Sequence, residues 1–275
     1  MTCWQPLLVA CALLAPPTER ESTIVDLELV LASDVSLSVD TQERALQRRG
    51  YAQAIRNAHV VDAITAGPLG RIAVTYVEWS GYLDHKVIVP WTLIDSDESA
   101  LRFARGIAEA KEAVTPGATG LGNALRFSAK QFDRNAFTGL RRVIDISGDG
   151  SSNDGIAAAK ARDDVVRQGI TINGLPLDIA HDSAAASEGE TPQKVEDHYR
   201  NSVIGGPGAF LFPVRSMEDF ERTLRDKLVL EIASWHQAAP YRRAGLSWGI
   251  SVSKPLQLSS GTSKLSRFQA RRPWR

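Results

Sequence analysis

Residues 24–235 predict a doubly wound α/β fold, with a mainly parallel sheet and one antiparallel edge strand. Three observations carry that expectation. Short apolar runs of strand length alternate with longer stretches of helical period, the pattern of a parallel sheet covered on both faces. The runs are apolar at most positions rather than at every second one, as strands buried on both faces require. No shift of composition interrupts these residues, so they read as one domain.

The first run, residues 25–32 (VDLELVLA), is broken at Glu28 and ends in the polar residues 33–38. Asp40, with Glu43 three positions on, forms a capping box. The helix it opens is expected to reach about residue 64, where Gly67 and Pro68 stop it. Residues 71–80 and 85–94 are two strands around Gly81-Tyr82-Leu83-Asp84, close enough for an antiparallel hairpin, and Pro90 puts the second strand at the sheet edge. A helix follows over 97–113. Residues 115–120 make a turn-rich break, expected to be the freest of the loops, before a helix over 121–132. Residues 142–147 (RVIDIS) are a buried strand ending in Gly148-Asp149-Gly150. A helix over 154–168 closes at Gly169, and 170–179 is a strand. A polar loop at 181–190 leads to a helix over 191–201. Gly205 to Gly208 then turn the chain into a last strand at 209–214, and Ser216 caps a final helix through about residue 233.

The two ends differ in character from the middle. Residues 4–16 (WQPLLVACALLAP) are apolar but shorter than the roughly 20 residues of a membrane span. They read as the core of a secretory signal covering residues 1–22, so export to the periplasm or cell surface is expected. Leu8-Val9-Ala10-Cys11 also matches the lipoprotein-processing pattern, which would leave a lipid anchor at Cys11. The plain alternative is a disordered cytoplasmic N-terminus. Residues 236–275 hold eight Lys/Arg and no Asp/Glu, leaving 24 basic against 32 acidic residues before them. This tail lacks apolar periodicity and is expected to be disordered. Its charge suits surface contact with anionic lipid or polymer. The formal net charge of +0 argues against nucleic acid as the partner. Cys3 and Cys11 are the two cysteines of the chain. A cysteine zinc site, a disulfide framework and a cysteine nucleophile are thereby excluded from the domain. Five scattered histidines make no HExxH pattern.

Candidate chemistry gathers in three loops. Asp34, Ser36 and Ser38 follow the first strand directly, and Asp149 follows the 142–147 strand. Thr119 feeds the helix that precedes that strand. In doubly wound sheets the ligand crevice lies outside the carboxyl ends of the strands, where these residues fall. Asp, Ser and Thr oxygens are hard ligands suited to Mg²⁺ (or Mn²⁺) rather than zinc or copper. Alternate spacing in an extended segment lets Asp34, Ser36 and Ser38 point one way. A D-x-S-x-S pattern alone is a weak signal whose plain reading is a polar loop with a helix cap. Its strength here is that every oxygen sits at the right end of the right element.

Asp34-Val35-Ser36-Leu37-Ser38, Gly117-Ala118-Thr119 and Ser147-Gly148-Asp149-Gly150 resemble the three segments of the metal-ion-dependent adhesion site of von Willebrand factor A domains. Over residues 24–235 the element order is similar to that Rossmann-like fold. Residues 142–150 and 199–214 (YRNSVIGGPGAFLFPV) further resemble a bacterial family of exported A-domain proteins. The resemblance implies that Ser36, Ser38 and Thr119 ligate the ion directly, and Asp34 and Asp149 directly or through water. It also implies that the ion grips an acidic residue of a partner protein and does no chemistry. Gly148 departs from the pattern, standing where many A domains have Thr.

Rival readings weaken on inspection. The loop from Asp149 has Asp154 where an EF-hand needs Gly and Lys160 where it needs the bidentate Glu. Gly148-x-Gly150 lacks the third glycine of a dinucleotide loop. An aspartyl phosphatase would want a second acid where Ser36 stands. His181-Asp182 with His198 has no activated nucleophile nearby, so the chain is not expected to be an enzyme. Two alternatives remain beside the adhesion module: a Mg²⁺-dependent hydrolase on a similar sheet, and a structural domain whose ion only rigidifies loops. Asp145, inside an apolar strand, is expected to pair with a buried hydroxyl or an Arg, the alternative being a supporting role at the metal site.

Overall fold

The computed structural model describes residues 22–111, 113–177, 192–216 and 218–234. All of these lie in the first of two structural units, Met1–Ala239. The signal segment, the polar loop with His181 and Asp182, and the basic tail lie outside the described residues.

The chain enters through β1 (Thr23–Val25) and β2 (Leu27–Asp34), then α1 (Thr41–Ile55) and α2 (Ala58–Thr65). The hairpin β3 (Ile72–Trp79) and β4 (His85–Ile94) leads to α3 (Asp97–Ala108) and α4 (Leu121–Ala129). After β5 (Phe137–Gly139) and β6 (Arg142–Gly148) come α5 (Ala158–Val166) and β7 (Thr171–Pro176). α6 (Pro192–His198) then runs into a π-helical turn, Tyr199–Val203, and α7 (Phe220–Ala233) ends the described chain.

The main sheet has the order β4-β3-β2-β6-β7. β2 is parallel to both β3 and β6, and β6 is parallel to β7. β4 is antiparallel to β3 at the edge, as its sequence predicts. The β3–β4 register skips between Val74 and Tyr76, opposite Pro90, whose missing N–H cannot join the ladder. Thr75 restores a bond there by donating its hydroxyl to Val89 O at 2.8 Å.

Side chains of the inner strands alternate between two cores, which is why the strands are apolar throughout. On β2, Leu27, Leu29 and Leu31 pack with Tyr51 of α1, Phe103 of α3 and Phe220, Leu224 and Leu228 of α7. Val30 and Ala32 pack on the other face with Leu121 and Leu125 of α4, Ala161 and Val165 of α5, and Tyr199 and Val203. The same alternation on β6 sends Asp145 toward α7, where Lys227 Nζ lies 2.6 Å from its Oδ1 with both side chains fully buried. Asp145 therefore pairs with a lysine rather than with a hydroxyl or an arginine. Glu231 completes the group, 3.4 Å from Lys227 and accepting from Asn173 Nδ2 at 2.6 Å. Burial pushes the Asp145 carboxyl up to about 7 against the pull of Lys227, with the Glu231 charge adding to the rise.

Several elements differ from expectation for local reasons. The long helix expected to residue 64 divides at Asn57, whose side chain accepts from His59 N and starts α2 anew. The strand expected at 209–214 is reduced to bridges of Leu211 with Gly174 and Val214 with Leu177. Pro213 and the Gly205–Gly208 turn leave it too few donors for a ladder. α5 begins only at Ala158, since Asn153 N and Asp154 N donate to Thr119 O and Ile156 N to Asn123 Oδ1 instead of to a helix of their own. The small parallel pairing of β1 with β5 is too short to announce itself in sequence. Glu28 is explained by it: the carboxylate accepts from Gly139 N and Asn135 Nδ2, each at 2.8 Å.

Candidate metal centre

β2 and β6 lie side by side and their chain directions lead away to opposite faces, β2 into α1 and β6 toward α5. The crevice between their carboxyl ends is the switch point of the sheet. Asp34 is the last residue of β2, and Gly148, just before Asp149, is the last of β6.

The two loops meet there. Ser36 N donates to Asp34 Oδ1 at 2.8 Å, folding the D-x-S segment back on itself. Ser36 Oγ and Ser38 Oγ are 3.1 Å apart, and Ser38 Oγ donates to Asp149 Oδ1 at 2.8 Å. Asp34, Ser36, Ser38 and Asp149 are thus joined in one hydrogen-bonded chain. Asp34 and Ser36 are almost fully buried, and Asp149 is 8% exposed. Asp34 Oδ2 is buried without a hydrogen-bond partner. Burial, and then the charge of Asp149, hold the Asp34 carboxyl well above the usual carboxylate range, against the Ser36 hydrogen bonds.

Thr119 sits in the third loop, 4% exposed, and its backbone binds this loop to the Asp149 loop. Thr119 N donates to Asn153 Oδ1 at 2.9 Å, while Thr119 O accepts from Asn153 N at 3.1 Å. Leu37 N donates to Gly117 O at 2.9 Å, tying it to the Ser36–Ser38 loop as well. Ser80, after β3, holds the loop from below: its Oγ accepts from Gly117 N at 2.6 Å and its carbonyl from Gly120 N at 2.9 Å. The loop is therefore not the free one that its turn-rich sequence predicts. The Thr119 hydroxyl itself forms none of these bonds.

Asn153, Ser80 and Tyr199 were not legible as parts of this cluster. The Tyr199 hydroxyl is buried and without a hydrogen-bond partner. Its ionisation is pushed well up by burial and then by the charges of Asp34 and Asp149.

This donor set fits a hard divalent cation. Its joined part offers two carboxylates and two hydroxyls, with the Thr119 loop tied beside them, and the buried Asp34 Oδ2 has no hydrogen-bond donor. Among the described residues no three His, Cys, Asp or Glu side chains cluster as a metal site. A cation here would be held largely by hydroxyl oxygens.

The fold defines a von Willebrand factor A-like domain. More narrowly, residues 24–236 match the family described as "Protein of unknown function (DUF1194)", and the chain belongs to that family. Comparison with curated protein sequences found no match. Among solved structures the chain is similar to the pilus adhesin SpaC from Lactobacillus rhamnosus GG in its open conformation, with TM-score 0.55 and 12% identity over 78% of this chain and 31% of that one. It is similar to proximal thread matrix protein 1 from the mussel byssus, with TM-score 0.51 and 17% identity over 78% and 49%. The PilB minor pilin from Streptococcus sanguinis gives TM-score 0.51 and 14% identity over 82% and 65%. A further structure of the mussel protein has a zinc-occupied MIDAS motif. The chain thus spans between 31% and 65% of these solved chains, and at such identities the likeness establishes the fold alone.

Proposed function

We propose that this is an exported, divalent-cation-dependent protein-binding module. Asp34, Ser36, Ser38, Thr119 and Asp149 hold one Mg²⁺ (or Mn²⁺), which takes a carboxylate from an acidic residue of a partner protein. The observation that carries this reading is the hydrogen-bonded chain from Asp34 through Ser36 and Ser38 to Asp149 across the switch point. With only two acids around it, a 2+ ion keeps affinity for a third carboxylate. The rim also suits a protein. Leu37, between the two serines, is 67% exposed, and Tyr82, joined to the Thr119 loop through Asp154, is 51% exposed. Exposed apolar groups beside a polar anchor are what protein interfaces use.

Export rests on residues 1–22, with a lipid anchor at Cys11 as the alternative fate. Among the described residues no helix is long and apolar enough to cross a membrane. The domain boundaries proposed are 1–22, 24–235 and 236–275. No catalytic residue, nucleic-acid partner or membrane span is assigned.

Calorimetric titration with Mg²⁺, Mn²⁺ and Zn²⁺ tests the centre, zinc being included because the mussel protein carries it. Wild type should bind, and Asp149→Ala should stay folded and give no heat. Identical responses from the two proteins would sink the metal reading. Capture of an envelope protein that EDTA releases, and that Leu37→Ser weakens without changing metal affinity, supports the adhesion role. Phosphatase activity that requires Mg²⁺ would replace that role with hydrolysis.

A further inference from the structure

Gly148 stands where many A domains place a threonine, and the site explains what fills its place. A Cβ built on Gly148 would lie 2.7 Å from the Tyr199 hydroxyl and 2.8 Å from Asp34 Oδ2. Both oxygens therefore flank one point on the inner wall of the centre. Both are fully buried, and both lack a hydrogen-bond partner. Strand alternation turns Gly148 to the same face as Ile144 and Ile146, which is the face Tyr199 packs against. The ring is delivered by the first residue of the π-helical turn Tyr199–Val203. A π-turn costs hydrogen-bond geometry and recurs where a side chain must be re-aimed at a functional site. The neighbouring His198 points the same way, its Nε2 accepting from Ser152 N of the Asp149 loop at 3.4 Å.

We propose that Tyr199 is a positioning residue of the cation centre, its hydroxyl donating to Asp34 Oδ2 in the cation-loaded protein. Asp34 is then held at both oxygens, by Ser36 N on one and by Tyr199 on the other. Gly148 is the residue that leaves room for this bond. The inference rests on the metal reading above and assigns a residue that the sequence pattern of the site does not contain. Outer-sphere donors to a ligating carboxylate set its orientation and contribute strongly to metal affinity.

The test is calorimetric titration of the full chain with Mn²⁺, for wild type and Tyr199→Phe. The variant should bind about 10-fold more weakly. Without metal it should melt no lower than wild type, because a buried unpaired hydroxyl has been removed. A purely structural tyrosine would give the reverse: lower melting and unchanged affinity. Mg²⁺ has no absorbance, so its addition to wild type should also give a tyrosine near-UV difference spectrum, lost in Tyr199→Phe. Equal Mn²⁺ affinity in a folded Tyr199→Phe, or a wild type that binds Mg²⁺ with no tyrosine signal, overturns the role of Tyr199 and leaves the metal site standing. A wild type that binds neither ion overturns both.

Discussion

A methyl group at position 148 has nowhere to go between Tyr199 and Asp34. Gly148→Ala should therefore cost about 1–3 kcal/mol in chemical denaturation, the usual cost of overfilling a packed site. In a Tyr199→Phe background the penalty should shrink, since both changes act on one contact. Across the sheet, Lys227→Met should cost about 3–5 kcal/mol at pH 8, because it strands Asp145 and Glu231 without their cation. That cost should be smaller in acid, where Asp145 can take a proton. Asp145 also sets a pH dependence. Its carboxyl is raised from 3.8 to about 7, so its contribution to stability is complete below the lower value and is lost as pH rises through the upper one. Stability curves of wild type minus Asp145→Asn should fall between those limits and be flat above them. At this scale the meeting of Asp34, Ser36, Ser38 and Asp149 was legible, because their residue types and spacing follow the ends of neighbouring strands. Tyr199 was not, since one aromatic in an amphipathic stretch looks like core. Nothing in the sequence singles out Lys227 in its helix, and only the folded chain shows the acid it answers.

Helix starts and loops decide how firmly those residues are held. Asp40 caps α1 by accepting from Gln42 N at 2.6 Å and Glu43 N at 2.8 Å, while Glu43 returns a bond to Asp40 N at 2.9 Å. Asp40→Ala should cost about 1 kcal/mol, as should Asn57→Ala at the start of α2. Of the two, only Asp40→Ala should also weaken Mg²⁺ binding, because its cap anchors the chain just past Ser38. Titration of both variants separates local helix loss from loss at the centre. Thr119→Ala should leave most of the metal affinity and weaken partner capture, measured by binding with and without EDTA. The bonds of its loop to Ser80, Leu37 and Asn153 argue that the loop keeps its course in that variant. Strand runs, the capping box and the edge position of Pro90 could all be read from the chain. The break at Asn57 could not, because it rests on one short-range bond, His59 N to Asn57 Oδ1, of a residue that also occurs inside helices. The π-turn gives no periodic signal of its own. The loss of the 209–214 strand has a simpler cause: its apolar residues pack, but Pro213 and the preceding turn deny it a ladder.

For the molecule as a whole, the proposed cation centre would link metal binding to folding, so Mg²⁺ at 100 times its Kd should stabilise wild type by about 2.7 kcal/mol, seen as a rise in melting temperature. A chain ended at Trp235 should keep its melting temperature within a few degrees, since the tail has too little apolar patterning to offset the entropy of ordering it. The sheet order has a mechanical consequence. β2 is hydrogen-bonded along its length to β3 on one side and β6 on the other, with Asp34 at its far tip. Suppose the protein is tethered ahead of Thr23 and gripped by a partner at Asp34. The pull then runs along the axis of β2. Every rung of both ladders resists at once, as in a lap joint under shear, instead of parting one by one as in a zip. Force spectroscopy with one handle before β1 and the other at position 37 should meet a high rupture force. Handles that peel β4 from the sheet edge should meet a low one.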